Sequence, residues 1–237
     1  MNNELGKSGF SLTEVLLAVG TLAIGMIFIG GTFLAGIHFS TLAAERTTAA
    51  VAADEAFAKI GLYRVNPTNL PADQLTPFET LTSIDPNEFA YPSTGSNIWQ
   101  KQYFWSALCR RADPNQATRL VQVTVFVSRK IGSADSYQGG AGRPIPMQVN
   151  VSSVAGGSLL TITEPNKTTW INDGYTIVGN QTGQIYRVVQ RDAGQPNLVS
   201  LERPWQSGAT GSVWVVPPPV GGGKNPTIAI YQKVIRF

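Results

Sequence analysis

Lys7-Ser8-Gly9-Phe10-Ser11-Leu12-Thr13-Glu14-Val15-Leu16-Leu17 opens the longest apolar run of this 237-residue chain. Across residues 15–44 no side chain carries a formal charge, and His38 is the one titratable group. Thirty residues in a helix, at about 1.5 Å each, extend roughly 45 Å. That exceeds the roughly 30 Å hydrocarbon core of a bilayer. Glu14 stands at the leading edge of the run. A lone carboxylate in such a place costs roughly 3 kcal/mol on insertion scales, so one that is kept calls for a partner.

A secretory signal is cut after its apolar core, behind small residues. Here a short polar leader, residues 1–9, ends in glycine immediately before the apolar run. A cut after Gly9 would leave the hydrophobic segment on the mature chain, with a new ammonium on Phe10 and Glu14 as the fifth residue. Glu14 lies about one helical turn from that ammonium, too close to its own helix start to reach it comfortably. The ammonium of a neighbouring subunit in a staggered bundle can reach it.

The segment Gly9-Phe10-Ser11-Leu12-Thr13-Glu14-Val15-Leu16-Leu17 resembles the processing motif of type IV pilins and type II secretion pseudopilins. The resemblance covers the first quarter of the chain, to about Tyr63. It implies cleavage between Gly9 and Phe10 by a membrane-bound prepilin peptidase and N-methylation of Phe10. It further implies assembly, on an inner-membrane platform, into a filament of pilin or pseudopilin subunits. Glu14 takes the place of the family's assembly glutamate. The precursor would sit in the lipid of a bacterial inner membrane, and the assembled subunit in the periplasm or in a cell-surface filament. One departure is the leader, where Glu4 partly cancels Lys7 and weakens the positive-inside signal.

The remainder of the chain has another character. Only 14% of residues are charged, against 24 glycines and 15 prolines, which is a β-rich and turn-rich composition. After Tyr63 there are fifteen Lys and Arg against ten Asp and Glu. They do not cluster, and Arg110-Arg111 and Arg129-Lys130 read as solvated strand ends rather than a nucleic-acid track, which needs a patch or stripe. Cys109 is alone, so no intramolecular disulfide can form, unlike the cysteine-stapled loops of many major pilins.

The expected fold is α+β: a long N-terminal helix packed on an antiparallel sheet, as in pilins, with an inserted all-β unit. Residues 10–62 read as one helix, apolar all round over 10–39 and amphipathic over 40–62. Leu42, Ala49, Ala53, Phe57 and Ile60 form its apolar stripe, and Gly61 is the expected stop. An ordinary membrane anchor with a juxtamembrane helix satisfies the same pattern. Gly20, Gly25, Gly30, Gly31 and Gly36 weaken the apolar half by about 1 kcal/mol each. Either they let helices pack closely, or they let the helix loosen around residues 25–31 in a filament.

Residues 63–146 would form the rest of the head. A Pro- and Asn-rich connector over residues 66–95 is expected to lie on the surface. Strands follow at 99–109 and 120–128, the second placing Val121, Val123, Val125 and Val127 on one face for the helix to cover. A Gly/Ser/Pro-rich linker spans 131–146. Residues 147–217 carry six short β-prone runs at 148–154, 159–162, 175–178, 185–190, 198–201 and 213–216, a pattern that suggests a small SH3-like barrel. Residues 218–237 hold a Pro/Gly break and a last strand returning to the first sheet.

Enzymatic chemistry is thin. With one His and one Cys, His38 in the apolar run and Cys109 in a strand, no Cys–His or Ser–His constellation forms in the head. No close carboxylate pair suggests acid–base work. Asp173-Gly174 lacks the alternating acidic ligands of a calcium loop and reads as a turn. No cofactor or metal is expected. Trp99, Trp105, Trp170, Trp205 and Trp214, with Tyr175 and Tyr186, are core candidates first and a binding face for sugar or a flat partner second.

The leading expectation is therefore a structural filament subunit, more minor than major because of its bulky inserted unit. The alternative from another class is an exported or membrane-anchored β-rich binding protein. Ala50-Val51-Ala52 offers it a small-x-small cleavage site, though one far downstream. An adhesin or DNA-uptake module, with DNA or a surface ligand as partner, is compatible with either and has no motif of its own.

Overall fold

The computed structural model describes residues 10–94, 101–113, 119–132, 135–139, 142–153 and 156–237. The chain is α+β. It divides between Glu45 and Arg46 into two compact units, each described here by itself.

One helix, α1, runs over Leu12–Tyr63. It begins two residues later than expected and continues without a break through Gly20, Gly25, Gly30, Gly31 and Gly36. A Cβ added at any of these glycines would meet nothing within 4 Å. In the first unit the large side chains are bare: Ile27 is 74% exposed, Phe28 70% and Ile29 71%. By length and composition the helix can cross a membrane.

In the second unit α1 becomes a packing element. Ala49, Ala52, Ala53, Ala56, Phe57 and Ile60 are buried. Leu42 is not part of this stripe, being 36% exposed; Ala52 and Ala56 are its unforeseen members. Four alanines out of six present a nearly flat surface, which lets the backbone approach a sheet closely. The stop is not Gly61, which stays helical, but Arg64, held at φ 55°. The Arg64 N–H donates to Ile60 O at 3.2 Å, a left-handed cap that glycine usually provides. Val65 is buried immediately beyond.

The first sheet holds β1 (Thr76–Pro77), β2 (Ala90–Tyr91), β3 (Tyr103–Arg111), β4 (Leu120–Arg129) and β11 (Thr227–Arg236). Its order is β1-β3-β4-β11, with β2 also beside β3. The expected start of β3 at Trp99 lies outside the described residues. The β3–β4 register pairs Trp105 with Val127, Ala107 with Val125 and Cys109 with Val123. Period-two alternation puts these pairs on one face, and they share one core with the α1 stripe. The valine face is thus covered by the helix, as the alternation requires.

The connector is not confined to the surface. Leu70, Leu75, Phe78, Phe89 and Ala90 are buried. Phe78, in the short helix α2 (Phe78–Leu81), and Phe89 flank Trp105 with ring centroids 6.3 and 4.8 Å away. Trp105 itself is 1% exposed. Lys59 ties α1 to the same connector, pairing with Glu55 at 2.9 Å and Glu88 at 2.8 Å. The Gly/Pro-rich linker likewise contributes a buried residue. Arg143 is 4% exposed, lies 4.4 Å over the Phe89 ring, donates to Ser106 Oγ at 2.8 Å and pairs with Glu79. Burial lowers the Arg143 pKa, an effect that the Glu79 carboxylate opposes.

Between β4 and β11 in the chain come β5 (Met147–Ser153), β6 (Leu159–Ile162), β7 (Thr176–Gly179), β8 (Ile185–Arg191), β9 (Leu198–Leu201) and β10 (Thr210–Val215). They close into a six-strand antiparallel barrel ordered β10-β5-β6-β9-β8-β7. Its interior is apolar, with Val149, Leu160, Ile177, Tyr186, Val213 and Trp205 among the buried residues. The barrel docks on the second face of the first sheet. Leu108 and Phe126 meet Val178, Trp214 and Val216 there. Asn180 Oδ1 accepts from Trp214 Nε1 at 2.8 Å and from the Leu75 N–H at 3.0 Å. Gly183, at φ 68°, sits so close to Gln122 that a Cβ would come within 2.9 Å of the amide.

Candidate functional site

The residues singled out for processing and assembly lie at the start of α1. Gly9 and the leader are outside the described residues. Phe10 is 87% exposed and precedes the helix. Ser11 is the residue before the first helical turn, and Glu14 lies within that turn.

Two reciprocal hydrogen bonds join them. The Ser11 N–H donates to Glu14 Oε2 at 3.0 Å, and the Glu14 N–H donates to Ser11 Oγ at 3.3 Å. This is a capping box, which satisfies two backbone donors that the first turn leaves without intrahelical acceptors. The carboxylate also stabilises the positive end of the helix dipole. Glu14 therefore has a local role within its own chain. The S-x-x-E spacing of Ser11 and Glu14 is the sequence signature of this box. With Oε2 turned back to Ser11, the carboxylate faces the start of the helix.

The remaining candidates resolve into structure. Cys109 is fully buried, and burial pushes its thiol up to about 12, so it stays protonated at neutral pH and is a poor nucleophile. His38 is exposed on α1. No group of three or more metal-ligating side chains occurs among the described residues. Asp173 Oδ1 accepts the Arg191 N–H at 2.6 Å, and Gly174 has φ 74°, a turn held by its aspartate. Trp105, Trp205, Trp214, Tyr175 and Tyr186 are buried. Trp170 is half-buried, and Trp99 lies outside the described residues. The five buried aromatics are core residues.

No family model, no curated protein and no solved structure matches this chain.

Proposed function

We propose that this chain is a structural subunit, of minor type, of a type IV pilus or pseudopilus. In this reading it is cleaved between Gly9 and Phe10 by a prepilin peptidase, methylated on the Phe10 amine, and assembled through the apolar half of α1. One observation carries the reading. The motif Gly9-Phe10 with Glu14 stands at the head of a helix whose first half is apolar and uncovered, while its second half forms part of the core of a β-rich head. Helices leaving lipid gain little hydrophobic energy. Assembly then depends on helix packing, an external motor and the contact between Glu14 and a neighbour's Phe10 ammonium. The bare glycines support close packing between helices, because among the described residues nothing lies within 4 Å of a Cβ built on them.

The secretory alternative meets a specific obstacle. A cut after Ala52 would divide the buried stripe and remove Ala49 and Ala52 from the core they share with the valine face. The reading is of a non-enzymatic subunit, with the barrel as a decoration of the head.

N-terminal sequencing of the mature protein from its native membrane or filament tests the processing. Phe10 as the first residue is expected; any other start overturns the reading. Glu14→Val is expected to leave insertion and cleavage intact and to lower filament incorporation at least ten-fold, measured by quantitative mass spectrometry of sheared filaments. Gly9→Leu is expected to leave an uncut precursor.

A further inference from the structure

Two residues other than glycine have positive φ among the described residues, Arg64 at 55° and Arg119 at 48°. Arginine has no special tolerance of this conformation, and glycine adopts it freely. Such strain persists where the side chain is wanted. Both arginines line the same cleft, of about 580 Å³, at one end of the first sheet. They come from the end of α1 and the start of β4, positions 55 residues apart in sequence.

A third arginine completes the set. Arg111, the last residue of β3, lines the cleft, and its Nε and Nη1 are buried without a hydrogen-bond acceptor. Buried guanidinium donors are normally paired, because leaving one unmade is costly. Among the described residues that line the cleft there are three arginines and one carboxylate, Asp113, so the lining carries net positive charge. Leu120 and Phe237 add apolar surface beside the guanidinium groups.

We infer that this cleft binds an oxyanion, a carboxylate or a phosphate, carried next to an apolar group. Arg111 turns its unpaired Nε and Nη1, which the free protein keeps from solvent, onto the anion; Arg64 and Arg119 close on it from the exposed rim, and the apolar wall receives the body that bears it. Guanidinium groups suit this task because they donate to carboxylate and phosphate in planar, charge-assisted geometry. The cleft lies wholly in the head, so the inference does not rest on filament assembly.

Isothermal titration of the full-length protein in detergent micelles, with phenyl phosphate in one arm and phenylacetate in the other, tests this. Sodium chloride at matched ionic strength is the control. Saturable one-to-one binding of at least one probe above chloride is expected, and the tighter arm identifies phosphate or carboxylate as the source. Arg111→Gln and Arg119→Gln should each weaken binding about ten-fold or more, in line with the loss of a charge-assisted hydrogen bond. Arg119 is exposed, so its variant decides the matter if Arg111→Gln does not fold. Arg64→Gly should raise the melting temperature by relieving backbone strain and yet weaken binding. No saturable heat from either probe, or unchanged binding in both Arg119→Gln and Arg64→Gly, overturns the inference.

Discussion

Residues 15–44 and 49–60 belong to one helix, yet their side chains are chosen by different rules. The first stretch carries large apolar groups around its whole circumference and buries none of the leucines, isoleucines or phenylalanines it holds. The second buries six residues, four of them alanine, and leaves its charged residues to bond with the connector or β11. A helix that must fit one fixed wall uses small residues and a narrow stripe. The first stretch shows no buried face among the described residues. The lesson is that the hydrophobic side chains and the packed side chains of α1 are largely different sets.

Overpacking gives the largest break in this comparison. Ala56→Leu adds bulk where the helix lies against the valine face, and should cost about 1–3 kcal/mol. For a head of this size that lowers the melting temperature by about 2–4 °C per kcal/mol. Ala23→Leu, in the bare half, should leave the same transition unmoved. Equal melting temperatures for the two variants, by tryptophan fluorescence in micelles, would remove the distinction between the halves.

A smaller effect is expected at the front of α1. Ser11→Ala removes one arm of the capping box and should weaken the first turn by about 1 kcal/mol. Faster amide exchange confined to residues 12–15, with head melting unchanged, is the expected signature. Spread of that exchange into residues 49–60 would show that the halves are coupled more tightly than their packing implies.

Acid should sharpen the contrast least, and in one direction. In the barrel, the Glu164 carboxylate accepts the Asn150 N–H at 2.7 Å and pairs with Lys167 at 2.7 Å. Those two partners, the backbone N–H foremost, hold its pKa below the ordinary carboxylate value. A depressed folded-state pKa gives stability that is present above the unfolded value and lost as pH falls through the folded one. Head melting should therefore decline below about pH 4.3, and Glu164→Gln should flatten part of that decline. Residues 15–44, with no carboxylate, should remain helical by circular dichroism over the same range.

Much of the architecture was legible because its signals are periodic. The uncharged run, the alternating valines of β4, the six β-prone runs and the returning last strand all repeat at the spacing of their elements. The alanine stripe was harder to see: Ala52 and Ala56 stand out little from an apolar helix, whereas Leu42 stands out and is not packed. Phe78, Phe89 and Arg143 sit in segments whose Pro and Gly content signals turns, and turn chemistry says nothing about which side chain folds inward. The arginine cleft was invisible for a topological reason. Arg64, Arg111 and Arg119 meet only once β3 and β4 have paired beside the end of α1. At Glu14 the structure shows a bond to Ser11, local chemistry that the S-x-x-E spacing allows and that a lone carboxylate beside an apolar run makes easy to overlook.

The register of the barrel bears on how the sheet that flanks it comes together during folding. Met147 and Val215, at its entry and exit, are direct partners across β5 and β10. Before the barrel closes, β11 must find β4 across a loop of roughly a hundred residues; afterwards only some thirty remain slack, which eases the search by about 1 kcal/mol of chain entropy. The barrel is thus a staple for the sheet that flanks it. A chain in which β10 fails to close the barrel would leave the edge of β4 unzipped for longer and open to a wrong strand.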